Sequence, residues 1–174
     1  MPAIVDVSGL NRVSRAMFTN AGGAIGGMVT ARSSPSPASS ENPLIVASMF
    51  GNTTACVTAA KKILEAAGYE VLVFAATGAG GRIMESVIES GIVSGVLDLT
   101  TTEWADELVG GVLNAGPERM DAAAKANVPV VVGPGCLDMV NFGEQASIPA
   151  KFSGRNFYIH NPQVTLMRTT AAEC

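Results

Sequence analysis

Short, continuously apolar segments alternate with helical patterns along this chain and predict an α/β protein. The expected architecture is a Rossmann-like or flavodoxin-like parallel sheet of about five strands with helices on both faces, plus an N-terminal helix. A second observation is an asymmetry between the two ends of the strands. The turns leading into strands are plain helix stops: Ala67-Gly68-Tyr69, Ser90-Gly91 and Asn127. The turns leaving them are polar, small or glycine-rich.

Gly9 to Arg32 carries apolar residues at helical spacing (Leu10, Val13, Met17, Ala21, Ala24, Ile25 and Met28), and Asp6 or Ser8 is placed to cap it. The pairs Gly22-Gly23 and Gly26-Gly27 weaken that helix in isolation and suit a close-packing face. Ser33 to Pro43 is rich in Ser and Pro and reads as an exposed connector. The expected domains are a helical segment over 1–32, a connector over 33–43 and an α/β domain over 44–174.

Within that domain Pro43–Phe50 reads as the first strand, followed by a helix from about Thr54 to Ala67. Glu70–Ala76 is the second strand, followed by a helix over Arg82–Ser90. Val93–Leu99 is the third, followed by helices over Glu103–Val109 and Pro117–Ala126, the latter with proline in its first turn. Val128–Gly135 is the fourth strand and Asn156–His160 the fifth. The remaining residues, from Asn161 to Cys174, read as helical.

Composition narrows the class. In 174 residues, apolar types make up 48% and charged types 15%, which excludes a disordered tail and a coiled coil. A net charge of −4 without a basic stripe argues against nucleic acid as partner. So little charge leaves apolar surface to be covered and predicts a homo-oligomer. Cys56, Cys136 and Cys174 show no CxxC spacing and read as free thiols of a reducing compartment. The single His160 excludes a multi-histidine metal site. No secretory leader pattern opens the chain, and the uncharged run Ala16–Ala31 is too short and polar to span a bilayer. The expectation is a cytoplasmic protein with no membrane partner.

Ligands of open parallel sheets bind beyond the carboxyl ends of the strands. Three loops there share one chemistry. Gly51-Asn52-Thr53-Thr54 leads into a helix, whose free amides and dipole favour an anion. Thr77-Gly78-Ala79-Gly80-Gly81-Arg82 offers glycine amides as a nest and one arginine. Thr100-Thr101-Thr102-Glu103 offers three hydroxyls and a carboxylate. Together they suit a phosphate or carboxylate. Taken singly, each threonine is also a plain N-cap and TGAGG also a tight strand–helix turn.

Other residues carry two readings each. Arg82 is a ligand clamp or a solvated helix start. Glu103 is a general base, a magnesium ligand, or a capping-box partner of Thr100. Asp98, in an apolar strand, needs partners and is a functional or a network acid. His160 is an acid–base candidate or a satisfied structural histidine. Cys136 and Cys56 have no visible base partner, which argues against a nucleophile. Asp138 and Asn141, in CLDMVNFG, read as post-strand loop residues able to line the same cleft. Trp104 and Met139 read as core or interface.

The strings DVSGLNRVSR, NAGGAIGGM, ASMFGNTT, LEAAGYEVLVFAATGAGGRIME, GVLDLTTTEWADELVGGVLNAGPERM, PGCLDMVNFG and HNPQVTLMRTT resemble the Tm-1-like ATP-binding family. The resemblance covers nearly the whole chain outside the connector. It implies chains of about twice this length with two Rossmann-like halves, of which this chain resembles the second. It also implies ATP, with Mg2+, as ligand, a homo-oligomer or a partner carrying the first half, and a TIM-barrel protein as associate. By the same resemblance, the loops Gly51–Thr54, Thr77–Arg82 and Thr100–Glu103 are the positions for ligand contacts.

Three functions follow in order of preference. The first is a nucleotide-binding domain with its ligand at the strand ends. The second is an enzyme on a small phosphorylated or carboxylated metabolite, with Glu103, Asp98 or His160 as acid or base. The third is a non-catalytic assembly module.

Overall fold

Four strands, β1 (Leu44–Met49), β2 (Glu70–Ala75), β3 (Val93–Thr100) and β4 (Val130–Gly135), form a parallel sheet in the order β2-β1-β3-β4. The computed structural model describes residues 10–33 and 42–174, which belong to two separate units. In the larger unit, α2 (Thr54–Ala66) covers one face of the sheet, setting Val57 and Leu64 against Ala47, Val71 and Leu97. Helices α3 (Ala79–Glu89) and α5 (Asp121–Lys125) cover the other, where Met84, Ile88, Ala122 and Ala123 meet Val46 and Val96. Val46 and Ala47, both fully buried, feed opposite cores, as the two-residue period of a strand requires. The order places the reversal of winding between β1 and β3. At the other edge, β4 pairs only with β3 among the described residues, and Val130, Val131 and Val132 are 44%, 61% and 51% exposed.

A second sheet is antiparallel: β5 (Met139–Phe142), β6 (Phe157–Asn161) and β7 (Val164–Arg168), in the order β5-β7-β6. Val140, Phe142, Phe152 and Met167 pack there with Ala105 of α4 (Thr102–Val109). The Phe142 and Phe152 ring centroids lie 5.4 Å apart.

This sheet corrects three expectations. The expected fifth parallel strand is β6, and it joins the antiparallel sheet instead. Only Pro162 and Gln163 separate it from β7, and two residues can close a hairpin but not a crossover. The expected terminal helix from Asn161 does not form, and Val164–Arg168 of it is β7, where Thr165 and Met167 are buried and Val164, Leu166 and Arg168 are not. That alternation, with β-branched Val and Thr, is a strand signal. Finally, CLDMVNFG is not a loop, because Met139–Phe142 forms β5. Among the described residues the parallel sheet therefore has four strands.

Two helix bounds also differ. α3 starts at Ala79, three residues before the expected Arg82. The helix expected from Pro117 starts only at Asp121, because Met120 adopts a left-handed φ of 83°. Glu85 holds that start, accepting the Met120 and Ala122 amides.

In the smaller unit, α1 spans Arg12–Ser33. Its cap is Asn11, whose Oδ1 accepts the amides of Val13 and Ser14. The expected caps Asp6 and Ser8, and most of the connector, lie outside the described residues. A Cβ at Gly22, Gly23, Gly26 or Gly27 would meet no described atom within 4 Å. No described helix is long and apolar enough to cross a membrane.

Candidate functional site

The carboxyl ends of β1 to β3 are tied together by one arginine. Arg119 projects from the turn between α4 and α5 and is 2% exposed. Its Nη1 and Nη2 donate to the two oxygens of Asp98 at 2.5 and 2.8 Å. Its Nε donates to Glu103 Oε2 at 2.7 Å, and Nη1 also reaches Glu85 Oε1 at 3.1 Å. Trp104 Nε1 donates to the Arg119 carbonyl at 3.0 Å and fixes the turn. Burial pulls the guanidinium pKa down, but hydrogen bonds and charges from Asp98 and Glu103 outweigh it and raise the value. Arg119 stays charged, neutralising part of a buried acidic cluster.

Each acid then holds a piece of backbone or side chain at the strand ends. Asp98 Oδ1 accepts the Ser48 hydroxyl of β1 at 2.6 Å. Glu103 Oε1 accepts the amides of Gly78 at 2.5 Å and Gly81 at 3.1 Å. The glycine nest after β2 is thus occupied at two amides by the chain's own carboxylate. Glu103 is not a capping-box partner of Thr100, and no cap side-chain bond forms at Thr101. Glu103 is fully buried on the first turn of α4, where its charge meets the α3 amides.

The threonines divide in the same way. Thr100, Thr101 and Thr102 are buried. The Thr100 hydroxyl lies 2.7 Å from that of Thr53 and donates to the Ser48 carbonyl. Thr101 donates to the Gly133 carbonyl, and Thr102 lies 3.4 Å from Asn141 Nδ2. Thr53 also bridges Phe50 N and O. These hydroxyls join neighbouring loops to each other. Gly51, Asn52, Thr54 and Arg82 are exposed, and Thr77 and Gly80 are half-buried. Arg82 Nη1 donates to the Asn114 carbonyl at 3.0 Å. The first-turn amides of Ala79 and Gly80 have no acceptor among the described residues.

The remaining candidates scatter. His160 is exposed on β6, in the other sheet, and Cys56 is exposed on α2. Cys136 directly follows β4, in the turn to β5, with a φ of 60°. Burial and Asp138 push its thiol up, against the amides of Asn52 and Thr53. Asp138 is exposed and Asn141 buried. Among the described residues no group of three or more His, Cys, Asp or Glu is placed to hold a metal ion. A slot of about 320 Å³ lies beside β4, lined by Thr101, Trp104, Met120, Val132, Pro134 and Leu137 among others.

Arg119, Glu85 and Asp106 were missed as network residues by sequence reasoning. The signal was present for Arg119: an acid in an apolar strand, Asp98, demands a cation in a chain with only 11 lysines and arginines. Asp106 is fully buried and makes no ion pair among the described residues. It accepts the Leu113 amide on Oδ2 and the Asn141 amide and side chain on Oδ1. Burial raises its pKa above 3.8, against these bonds. A raised native pKa means that Asp106 favours the fold most below its unfolded value and less as pH rises through the native one. Asp106→Asn is expected to cost about 1–3 kcal/mol, since an amide nitrogen would face a donor. In urea unfolding, the gap between wild type and variant should narrow from acid toward neutral pH.

Fold and edge define a parallel α/β domain joined to a small antiparallel sheet. The chain belongs to the UPF0261 family: residues 42–174 match the C-terminal domain of this uncharacterised protein family and residues 1–34 its N-terminal domain. A UPF0261 protein of Clostridium tetani is 56% identical over 171 residues, covering 98% of this chain and 42% of that protein. A UPF0261 protein of Mesorhizobium japonicum is 49% identical over 174 residues, covering 100% and 43%. The tomato ToMV resistance protein Tm-1(GCR237) is 48% identical over 175 residues, covering 99% of this chain and 23% of that protein. The chain therefore spans less than half the length of these relatives.

Proposed function

We propose that the 42–174 domain binds a nucleotide, ATP with Mg2+, at the carboxyl edge of β1 and β2. The observation that carries this reading is a set of available donors at adjacent strand ends: the Ala79 and Gly80 amides, with Asn52, Thr54 and Arg82 exposed. Amides at a helix start and one guanidinium are the donors a phosphate uses. The slot beside β4 adds apolar walls that suit a purine ring. The resemblance set out from the sequence supports ATP as the nucleotide. The residues fit the phosphates, and magnesium would be held by those phosphates, because Asp98 and Glu103 are engaged by Arg119. The same engagement disfavours the metabolite-enzyme reading, since neither acid is free to move a proton. Self-association through the exposed edge of β4 belongs to the same proposal.

The test is calorimetric titration of Mg-ATP into the purified chain. Binding is expected, and Asn52→Asp and Arg82→Glu should each weaken it at least tenfold by setting a negative charge against phosphate. A folded chain that releases no heat, or variants that bind as wild type does, would overturn the reading.

A further inference from the structure

Arg82 supplies the guanidinium of the proposed phosphate site, and such a group binds best when its direction is already set. Among the described residues its guanidinium makes one bond, from Nη1 to the Asn114 carbonyl at 3.0 Å. Nε and Nη2 are left over, and two neighbouring N–H groups are what a phosphate takes in bidentate fashion. Whatever fixes Asn114 therefore fixes where that fork points.

Asn114 lies on a strap, residues 110–116, that leaves the end of α4 and crosses the start of α3. A Cβ at Gly78 would lie 2.6 Å from the Asn114 carbonyl oxygen and 3.0 Å from that of Leu113, so the strap backbone rests directly on the glycine nest. The anchor of the strap is Asp106. Its carboxylate accepts the Leu113 amide on Oδ2 at 2.7 Å, and its carbonyl accepts the amides of Gly110 and Gly111, both at 2.8 Å. Oδ1 takes the Asn141 amide, and Val112 donates to the Asn141 carbonyl, so acid and strap are both fastened to β5. The Arg82 bond is the one hydrogen bond from the strap to α3 among the described residues. A buried carboxylate without an ion pair is costly to keep. The bonds of this one go to groups that set the strap in place.

We propose that Asp106 is a positioning residue: through Leu113 and Asn114 it holds the Arg82 guanidinium with Nε and Nη2 presented to a phosphate. This rests on the reading that the edge of β1 and β2 binds phosphate. The small antiparallel sheet then serves that site through β5, by way of Asn141 and Asp106.

The experiment is a double-mutant cycle read by calorimetric titration of Mg-ATP. Arg82→Gln and Asp106→Asn should each weaken binding about tenfold, and Asp106→Asn in the Arg82→Gln background should weaken it less than about twofold further. A merely structural role for Asp106 would instead let the two losses add. Gly111→Ala, whose Cβ would overlap the Asp106 carboxylate, displaces the strap and carries the cycle if Asp106→Asn does not fold. The second readout is NMR relaxation of the Arg82 Nε–H group without ligand, expected to be ordered in wild type and mobile in both strap variants. Additive losses, or an Arg82 group equally mobile in wild type and variants, would overturn the inference. No heat from Mg-ATP with an ordered Arg82 would overturn the nucleotide reading and leave the positioning standing.

Discussion

Arg119→Met is expected to destabilise the 42–174 domain by about 3–5 kcal/mol, because removing one partner of a buried ion cluster leaves the others uncompensated. The side chains of Asp98 and Glu103 are 3% and 0% exposed, and both depend on this guanidinium. A domain holds only about 5–15 kcal/mol in total, so the variant should lie near the edge of folding. Arg119→Lys should recover little. One ammonium cannot make the bidentate pair with Asp98 and also reach Glu103 and Glu85. Urea unfolding at neutral pH checks this. A Met variant within about 1 kcal/mol of wild type at neutral pH would show that the cluster does not hold the strand ends.

This network also explains how far the sequence could be read. The alternation of apolar strands and helices was legible because β1 and β3 are covered on both sides by their neighbours' helices, leaving continuous apolar runs. The antiparallel sheet was not. Its three strands are four or five residues long, and a hydrophobic period cannot separate so short a strand from a helix turn. The decisive cue was the two-residue gap at Pro162-Gln163, which concerns chain reach and not hydrophobicity.

At the strand ends, residue types were readable but their partners were not. TGAGG presents amides in any reading of the sequence. Only the fold reveals that Glu103, about 25 residues later, turns its carboxylate onto Gly78 and Gly81. Thr100, Thr101 and Thr102 look alike as letters, yet each serves a different neighbour: β1, β4 and β5. Arg82 and Asn52 differ in that they face outward, so a role for them with a ligand needs no rearrangement of the network.

Gly80→Ala is the sharpest test of how that network is built. Gly80 has ordinary helical geometry, so its requirement is one of space. A Cβ there would lie 1.7 Å from the Ala75 carbonyl oxygen and 2.8 Å from its carbon, both backbone atoms of β2. A strand backbone cannot swing aside as a side-chain tip does, so α3 would have to lift. Lifting it withdraws the Gly78 and Gly81 amides from Glu103 and strains the Arg82 tie to Asn114. The expected loss is about 3 kcal/mol or more, at the upper end for inserting one methyl into a packed site. Gly23→Ala is the control: its Cβ meets no described atom within 4 Å, and alanine in a helix gains about 0.5–1 kcal/mol over glycine. Thermal unfolding should show a lowered midpoint for the first substitution and none for the second. If Gly80→Ala unfolds as wild type does, α3 does not press on β2, and Glu103 can release its two amides to a ligand at little cost.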